Sequence, residues 1–494
     1  FNPTAARKKG GRGVMKGIID YGVYLPYYRL KRETIFRAMG WFNPATAGMA
    51  KGEKTVANYD EDSLTMAVAA GIDCLTHIKR EAVDALYLAS TTLPYKERGN
   101  ASIAGGALNL SPHTRTADFT GCLKSGTTAL ISALSAQDEK ITLVCASDTR
   151  LGKAGGAQEM LYGDGAAAVA VGHDGVIARL LGHYSVSYDF PDQRRMDPDR
   201  YVRGWEERWI RDAGYSKMIP EVIQGVLDPC GLGIKDMIKV VYAPLSLRDH
   251  AAMAKRLSLA AEQVQPPLID SVGNTGCPHP LLMLIGALET SRPGDRILMV
   301  SFGSGSDALL FEVTDEITAF QSKNKLNTNL GYQGELESYP QYLSFKGMLP
   351  KELGIRGEEV APTSLSLFWR EQNAVLRLVG SKCKACGTPQ FPRDPVCINP
   401  ECGAVDQMED YPFSDKTGVL FTYTADHLAY SEDPPALYGI VDFEGGGRYW
   451  FDITDCRLES LEVGKPMQMT FRRRYLDQGR SVAGYFWKAM PFKG

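Results

Sequence analysis

Between about residue 85 and residue 313 the chain runs through the same series of segments twice. ALYLAS (85–90), GCLKSGTTALISAL (121–134), ITLVCASD (141–148) and GDGAAAVAVG (163–172) are followed, in the same order, by KVVYAPL (239–245), GNTGCPHPLLMLIGAL (273–288), RILMVSFGSG (296–305) and DALLFEV (307–313). Each copy reads as strand, helix, strand, glycine turn and strand, and its apolar runs are too continuous for a sheet with one wet face. The alternation of apolar strands with longer helical segments up to about residue 314 predicts an α/β fold with buried parallel strands. Two fused copies bury equivalent faces together, so equivalent helices are expected to meet across a pseudo-twofold axis. The turns feeding both central helices would then bring their first, unpaired N–H groups to one shared pocket.

Beyond this duplication the character changes. Residues 316–370, with GYQGELESYPQYLSFKGMLP, read as a partly helical linker. After SLFWREQ (366–372) come four clustered cysteines, over a unit spanning 371–404, and then short β-rich runs over 405–494 that suggest a small barrel. The duplicated body divides into halves 15–175 and 176–315, with Met15 and KGIIDYGVYLP as the start of the fold and residues 1–14 as a disordered extension. At 494 residues, two or three domains are the natural expectation. The balance of 55 basic against 58 acidic residues gives no overall attraction for nucleic acid or an anionic membrane. No apolar run approaches the roughly 18 residues of a membrane span, and no secretory core is visible, so the chain reads as soluble and cytoplasmic.

Ten cysteines in such a chain argue for metal or catalytic uses rather than a disulfide framework. Cys383 and Cys386 form a CxxC knuckle, and Cys397 and Cys402 follow, with Gly387 and Gly403 placed to let the loops turn. Four thiolates at this spacing can converge on a tetrahedral Zn²⁺ with no open position, which predicts a structural zinc. A redox CxxC would want a thioredoxin-like βαβ setting that is lacking here. A nucleic-acid ribbon would want a basic, aromatic-lined face, whereas Arg472, Arg473 and Arg474 make the one tight basic run.

Cys122 lies in DFTGCLKSGTTAL, between a strand end and an apolar-periodic helix, where a helix N-terminus would stabilise a nucleophilic thiolate. A cysteine at such a junction can equally be an inert core residue; the duplicated context favours the nucleophile. Asn274 occupies the equivalent place in the second copy, and a buried amide there could bind a substrate or a water. The turn FGSGS (302–306) offers backbone N–H groups that, with the N–H of Cys122, could form an oxyanion hole.

YGVYLPYYRL, GEKTVANYDEDSLTMA, GCLKSGTTAL, YGDGAAAVAVG, SVGNTGCPHPLL and SFGSGSDALL resemble, in order, the hydroxymethylglutaryl-CoA synthase family of the thiolase superfamily, particularly its archaeal-type members, over residues 16 to about 345. Residues 366–494, with CKACGTPQFPRDPVCINPEC, resemble the rubredoxin-like zinc ribbon and OB-fold domain that accompanies such enzymes, usually as a separate chain. The resemblance implies a duplicated, five-layer αβαβα thiolase fold followed by the ribbon and an OB barrel. It implies Cys122 as acyl-accepting nucleophile, Asn274 as active-site asparagine, the Ser304 N–H as second oxyanion donor and coenzyme A thioesters as substrates. At least a homodimer is implied too, with a separate thiolase as a further candidate partner.

The chain departs from that pattern at two positions. The family's glutamate falls at about Thr91, in LASTT, and its histidine at Tyr242, in VVYAPL; neither residue at an ordinary pKa takes a proton from a methyl thioester near pH 7. His279, opening the second central helix in a CPHPLL that resembles the GHPL of thiolases, is the candidate replacement base, with a structural cap or core residue at the helix start as the alternative. His250, in LRDHAAMAKRL, reads as part of a solvated helix face, and Cys277 as a small buried residue. The leading function is Claisen or retro-Claisen chemistry through an acyl-Cys122. Simple acyl transfer to a non-carbon or aromatic acceptor, or a degenerate scaffolding subunit of a thiolase, stand as alternatives.

Overall fold

The computed structural model describes residues 16–136, 140–320, 324–354 and 362–493, and the extension expected over 1–14 lies outside them. Nine strands form one sheet in the order Lys239–Tyr242, Arg296–Phe302, Gly305–Val313, Ala178–Ser187, Gly17–Tyr24, Gly165–Gly172, Ile141–Asp148, Val83–Ala89, Arg115–Phe119. Outward from the junction of Ala178–Ser187 with Gly17–Tyr24, both sides carry equivalent strands of the two copies in the same order. The junction is narrow, pairing only Gly17 with Arg179 and Ile18 with Ala178.

The sheet is mixed, which corrects the expectation of parallel strands. Val83–Ala89 runs parallel to both neighbours, and Lys239–Tyr242 parallel to Arg296–Phe302, but the remaining pairs are antiparallel. The reason is local. Arg296–Phe302 and Gly305–Val313 are joined by only Gly303 and Ser304, and so short a link can only reverse the chain into an antiparallel neighbour.

Strand alternation along the large sheet separates three of the four apolar cores among the described residues. Along Ile141–Asp148, Leu143 and Cys145 face the core under helix Ser63–Cys74, whereas Val144 and Ala146 face the central core. Along Arg296–Phe302, Ile297 and Met299 face that central core, and Leu298 and Val300 a third, under helix Ser216–Cys230. Helices Ser125–Ser135 and His279–Leu288 fill the centre between the two halves. The layers therefore run helix, sheet, paired helices, sheet, helix, as expected. At the centre, a Cβ on Gly126 would stand 2.8 Å from the Cys277 carbonyl oxygen, so glycine is what lets the two copies approach.

The stretch expected as a linker packs onto the body. Helices Lys325–Gly331 and Tyr339–Phe345 bury Leu326, Tyr339, Tyr342 and Phe345. Strands Val379–Cys383, Pro389–Gln390 and Met408–Pro412 form the small ribbon sheet. A five-stranded sheet follows, in the order Arg448–Asp452, Ala436–Phe443, Gly418–Asp426, Pro466–Asp477, Val482–Pro491, and a bridge from Ile453 to Ala489 brings its ends together as a barrel.

Arg472 pins this barrel to the body. Its fully buried guanidinium meets Asp455 of the barrel and reaches Asp60 at 3.3 Å and Glu61 at 2.8 Å. Arg473 donates to the Tyr59 carbonyl at 2.8 Å. Two members of the one basic run are thus spent on internal docking, not on a surface for nucleic acid. No helix among the described residues is long and apolar enough to cross a membrane.

Candidate active site

Cys122 sits on the turn between strand Arg115–Phe119 and helix Ser125–Ser135, half-buried. Its sulfur lies 3.8 Å from Ser125 Oγ, and its carbonyl accepts from the Ser125 N–H at 3.1 Å, closing the turn that starts the helix. The turn is locked to the second half. Lys124 pairs with Asp307 at 3.1 Å, Thr127 Oγ1 lies 2.8 Å from the same carboxylate, and both charged side chains of the pair are nearly dry. Breaking such a pair from one side leaves an uncompensated buried charge, so the Cys122 turn is held by a strong constraint.

The second-half turn reaches the same place. A Cβ on Gly303 would stand 2.9 Å from both the backbone nitrogen and the Cβ of Leu123, so glycine is needed where the two loops touch. Ser304, next along, has a left-handed φ of 49°. Ser304 itself is not among the residues that line the cavity.

That cavity measures about 410 Å³ and is lined by Cys122, Thr91, Arg150, Asp192, Arg194 and Arg195, among others. Thr91 stands where expected, but its hydroxyl donates to Asp148 at 3.0 Å and its N–H donates to the same oxygen at 2.7 Å. The other Asp148 oxygen accepts the Cys277 N–H at 2.8 Å. Asp148 thereby ties the first-half strand end to the second-half turn. A Cβ on Gly276 would come within 2.3 Å of that carboxylate, which is why the turn needs glycine there. Cys277 is a small buried residue, as expected, and burial pushes its thiol well above the usual range.

Asn274 is buried with its amide held from both ends. Its Oδ1 accepts from Arg150 at 2.6 Å and from the Gly276 N–H at 3.0 Å, and its Nδ2 donates to the Pro244 carbonyl at 3.2 Å. Arg150, itself buried, stacks on the Tyr162 ring at 4.0 Å and donates to Gln193 at 2.9 Å. It is the link between Asn274 and the cavity wall.

The two histidines stand elsewhere than expected. His279 is fully buried and is not among the residues that line the Cys122 cavity. Its Nε2 lies 2.9 Å from the Pro267 carbonyl and its Nδ1 3.3 Å from the Thr275 N–H. A carbonyl only accepts and an amide N–H only donates, so the proton is on Nε2 and the Nδ1 lone pair is occupied. Burial lowers its pKa to about 4. It closes its helix start as a neutral, two-sided cap. His250 is buried too, which corrects the reading of a solvated face: it stacks on Tyr242 with ring centres 4.3 Å apart, and burial lowers it to about 4. Tyr242 points into that core, its hydroxyl donating to the His250 carbonyl at 3.0 Å and its pKa raised by burial.

Sequence reasoning missed Arg150, Asp148 and Asp192. The first two carried one signal, a charged pair in CASDTR at the end of a buried, largely apolar strand.

In the ribbon, Cys383 and Cys402 sulfurs are 3.8 Å apart, Cys386 and Cys397 sulfurs 3.5 Å, and all four lie within 4.8 Å of one another. Zn–S bonds of about 2.3 Å place tetrahedral sulfurs about 3.8 Å apart, so the four cysteines fit a zinc ion. Gly387 and Gly403 take left-handed φ of 78° and 56° where each knuckle turns.

The chain resembles known proteins in all these parts. Residues 374–409 match the ChsH2 rubredoxin-like zinc ribbon domain, 411–472 the ChsH2 C-terminal OB-fold domain, and 227–311 the C-terminal region of 3-oxoacyl-[acyl-carrier-protein] synthase III. A hydroxymethylglutaryl-CoA synthase of Methanopyrus kandleri is 31% identical over 342 residues, 67% of this chain and 97% of that protein. Its counterpart in Methanothermobacter thermautotrophicus is 31% identical over 344 residues, covering 68% of this chain and 99% of the relative. Among solved structures, an HMG-CoA synthase complexed with CoA shares the fold with a TM-score of 0.61 at 20% identity, over 71% of this chain and 95% of that one. The 3-oxoacyl-[acyl-carrier-protein] synthase III of Aquifex aeolicus does so with a TM-score of 0.53 at 22% identity, over 60% and 99%.

Proposed function

The chain belongs to the hydroxymethylglutaryl-CoA synthase family, and from that membership we propose that it forms or cleaves a carbon–carbon bond on acyl-CoA thioesters through an acyl group carried on Cys122. The carrying observation is the half-buried Cys122 sulfur on the wall of a 410 Å³ cavity, at a turn braced from both halves. The Cys122 thiol attacks the thioester carbonyl, the C–S bond to coenzyme A breaks, and CoA leaves as the thiol. The N–H groups of Cys122 and Ser304 are the donors for the developing oxyanion, a contribution of about 3 kcal/mol per donor in acyl-transfer enzymes. Asn274, held by Arg150, the Gly276 N–H and the Pro244 carbonyl, positions the second-half turn beside the cavity wall in this reading and does not itself contact the thioester.

Intact-protein mass spectrometry after incubation with straight-chain acyl-CoA thioesters tests this reading. An added acyl mass that maps to Cys122 supports it; no adduct with any of them removes it. Simple acyl transfer to a non-carbon or aromatic acceptor is the second reading, favoured by Thr91 and Tyr242 both donating to protein acceptors. The four ribbon cysteines hold a structural zinc in this proposal, with all four positions taken by thiolates. Dimerisation, or pairing with a separate thiolase, fits the open edge strand Arg115–Phe119 beside the Cys122 turn. Light scattering on the full chain should give at least a dimer, and a monomer counts against it.

A further inference from the structure

Joining an acyl group on Cys122 to the α-carbon of a second thioester needs a group that takes the α-proton, and the positions read from the sequence do not supply one. Thr91 donates to Asp148, Tyr242 lies in a core, and His279 is closed off by Pro267 and Thr275. The cavity wall itself carries three carboxylates. Asp118 is exposed and already accepts the N–H groups of Asn100 and Ala101 at 2.9 and 2.7 Å, capping a helix. Asp197 is paired with Lys96 at the surface. Asp192 alone of the three is buried, at 4% exposure, with no ion pair among the described residues.

We infer that Asp192 is the catalytic acid/base of the carbon–carbon step, taking the α-proton of the second thioester and returning it to Cys122. The inference rests on the acyl-Cys122 reading above. Asp192 is held in place by backbone and aromatic contacts. Its N–H donates to the Phe190 carbonyl at 2.9 Å and its carbonyl accepts from Trp205 at 3.2 Å. The Phe190 ring packs edge-on against Trp205 and Phe302, centres 5.9 and 6.3 Å apart, and so ties this loop to the strand end that leads into Ser304. Burial raises the carboxyl above the usual carboxylate range, against hydrogen bonds from the amides of Gln193 and Ser304 and the charge of Arg150. A carboxylate raised in this way is the better match to a reluctant acid.

In the step, the α C–H bond breaks to Asp192, and its electron pair forms the new C–C bond to the acyl carbon. The tetrahedral oxyanion collapses, the C–S bond to Cys122 breaks, and the proton on Asp192 passes to the leaving thiolate. No oxidant or further reactant is needed.

The test uses the full chain and whichever thioester from acetyl- to octanoyl-CoA adds most mass to Cys122, incubated in D₂O. Two readouts are taken: the Cys122 adduct, and deuterium at the α-carbon of recovered thioester. Asp192→Asn should keep the adduct, which also shows that the site is folded, and slow α-exchange by at least about 10²-fold. Asp192→Glu should regain a tenth or more of the wild-type exchange. Wild-type exchange in an acylated Asp192→Asn overturns the inference. So does loss of the adduct together with the exchange at an unchanged melting temperature, because Asp192 then serves the nucleophile. An acylated wild type that exchanges no deuterium removes the Asp192 role and leaves acyl transfer through Cys122 standing; no adduct in the wild type removes both.

Discussion

The two central helices begin at equivalent turns of the duplicated body, yet the turns treat their polar atoms in opposite ways. Before Ser125–Ser135, the Cys122 sulfur meets only the Ser125 hydroxyl, at 3.8 Å, among the described hydrogen-bonding groups, and opens onto a cavity. Before His279–Leu288, the Asn274 amide and both His279 nitrogens are taken by Arg150, Gly276, Pro244, Pro267 and Thr275. One turn keeps its reactive atom free and the other spends its reactive atoms on holding shape. Duplication supplied two similar helix starts; burial separated their uses.

Removing the sulfur gives the largest expected effect. Cys122→Ala should abolish the acyl adduct completely while shifting the unfolding free energy by no more than about 1 kcal/mol, the range for a half-buried site away from a packed core. An adduct that persists in the variant moves the nucleophile elsewhere.

His279→Ala should behave in reverse. It leaves the Pro267 carbonyl and the Thr275 N–H without partners in a dry site and opens a cavity, a loss of about 3 kcal/mol in denaturant unfolding. Acylation per folded molecule should persist. If the variant instead unfolds like the wild type but fails at the carbon–carbon step, His279 is catalytic and the contrast between the turns collapses.

The same burial predicts a pH dependence with a definite sign. His250 and His279 have an ordinary value of 6.5 and are held near 4 in the folded chain. Below about pH 6.5 the unfolded chain therefore takes up protons that the folded chain refuses. Their contribution to stability is fully present above that pH, declines as pH falls and levels off near pH 4. Each imidazole adds a slope of up to about 1.4 kcal/mol per pH unit within that window. In urea titrations across this range, His279→Gln should remove about half of the histidine slope; an unchanged slope means that His279 is not held neutral.

The smallest effect on chemistry is expected farthest from both turns. Cys383→Ser should lose the zinc measured by metal analysis and loosen the ribbon, because metal binding and folding are coupled in such sites. The acylation rate should stay within about twofold of wild type. A larger fall means that the ribbon and barrel help to shape the cavity.

Much of the architecture was legible in the chain because it is written locally. Apolar runs, glycine turns and their repetition announced the duplicated, layered body. The spacing of Cys383, Cys386, Cys397 and Cys402 announced a site whose four sulfurs do converge. Strand direction was less legible, since it depends on link length, and the two-residue link at Gly303 and Ser304 shows as a reversal only once both strand ends are fixed. The helix start beside Cys122 could be read from its motif, because a glycine turn leading into an apolar-periodic helix is a short-range arrangement.

What the sequence could not determine is which polar side chains are dry. Four aspartates stand between residues 189 and 199, and nothing in their order distinguishes Asp192. It is buried where Phe190 of its own loop packs against Trp205 and against Phe302 from the second half. His250 reads as solvated until Tyr242 covers it, and His279 reads as a base until the Thr275 N–H occupies its Nδ1 lone pair. Residue type and spacing determined the repeat, the metal-binding set and the position of the sulfur. Desolvation, which sets where a charge can reside, depends on atoms brought together from across the whole chain, so only the tertiary structure decided which groups hold the fold and which face the cavity.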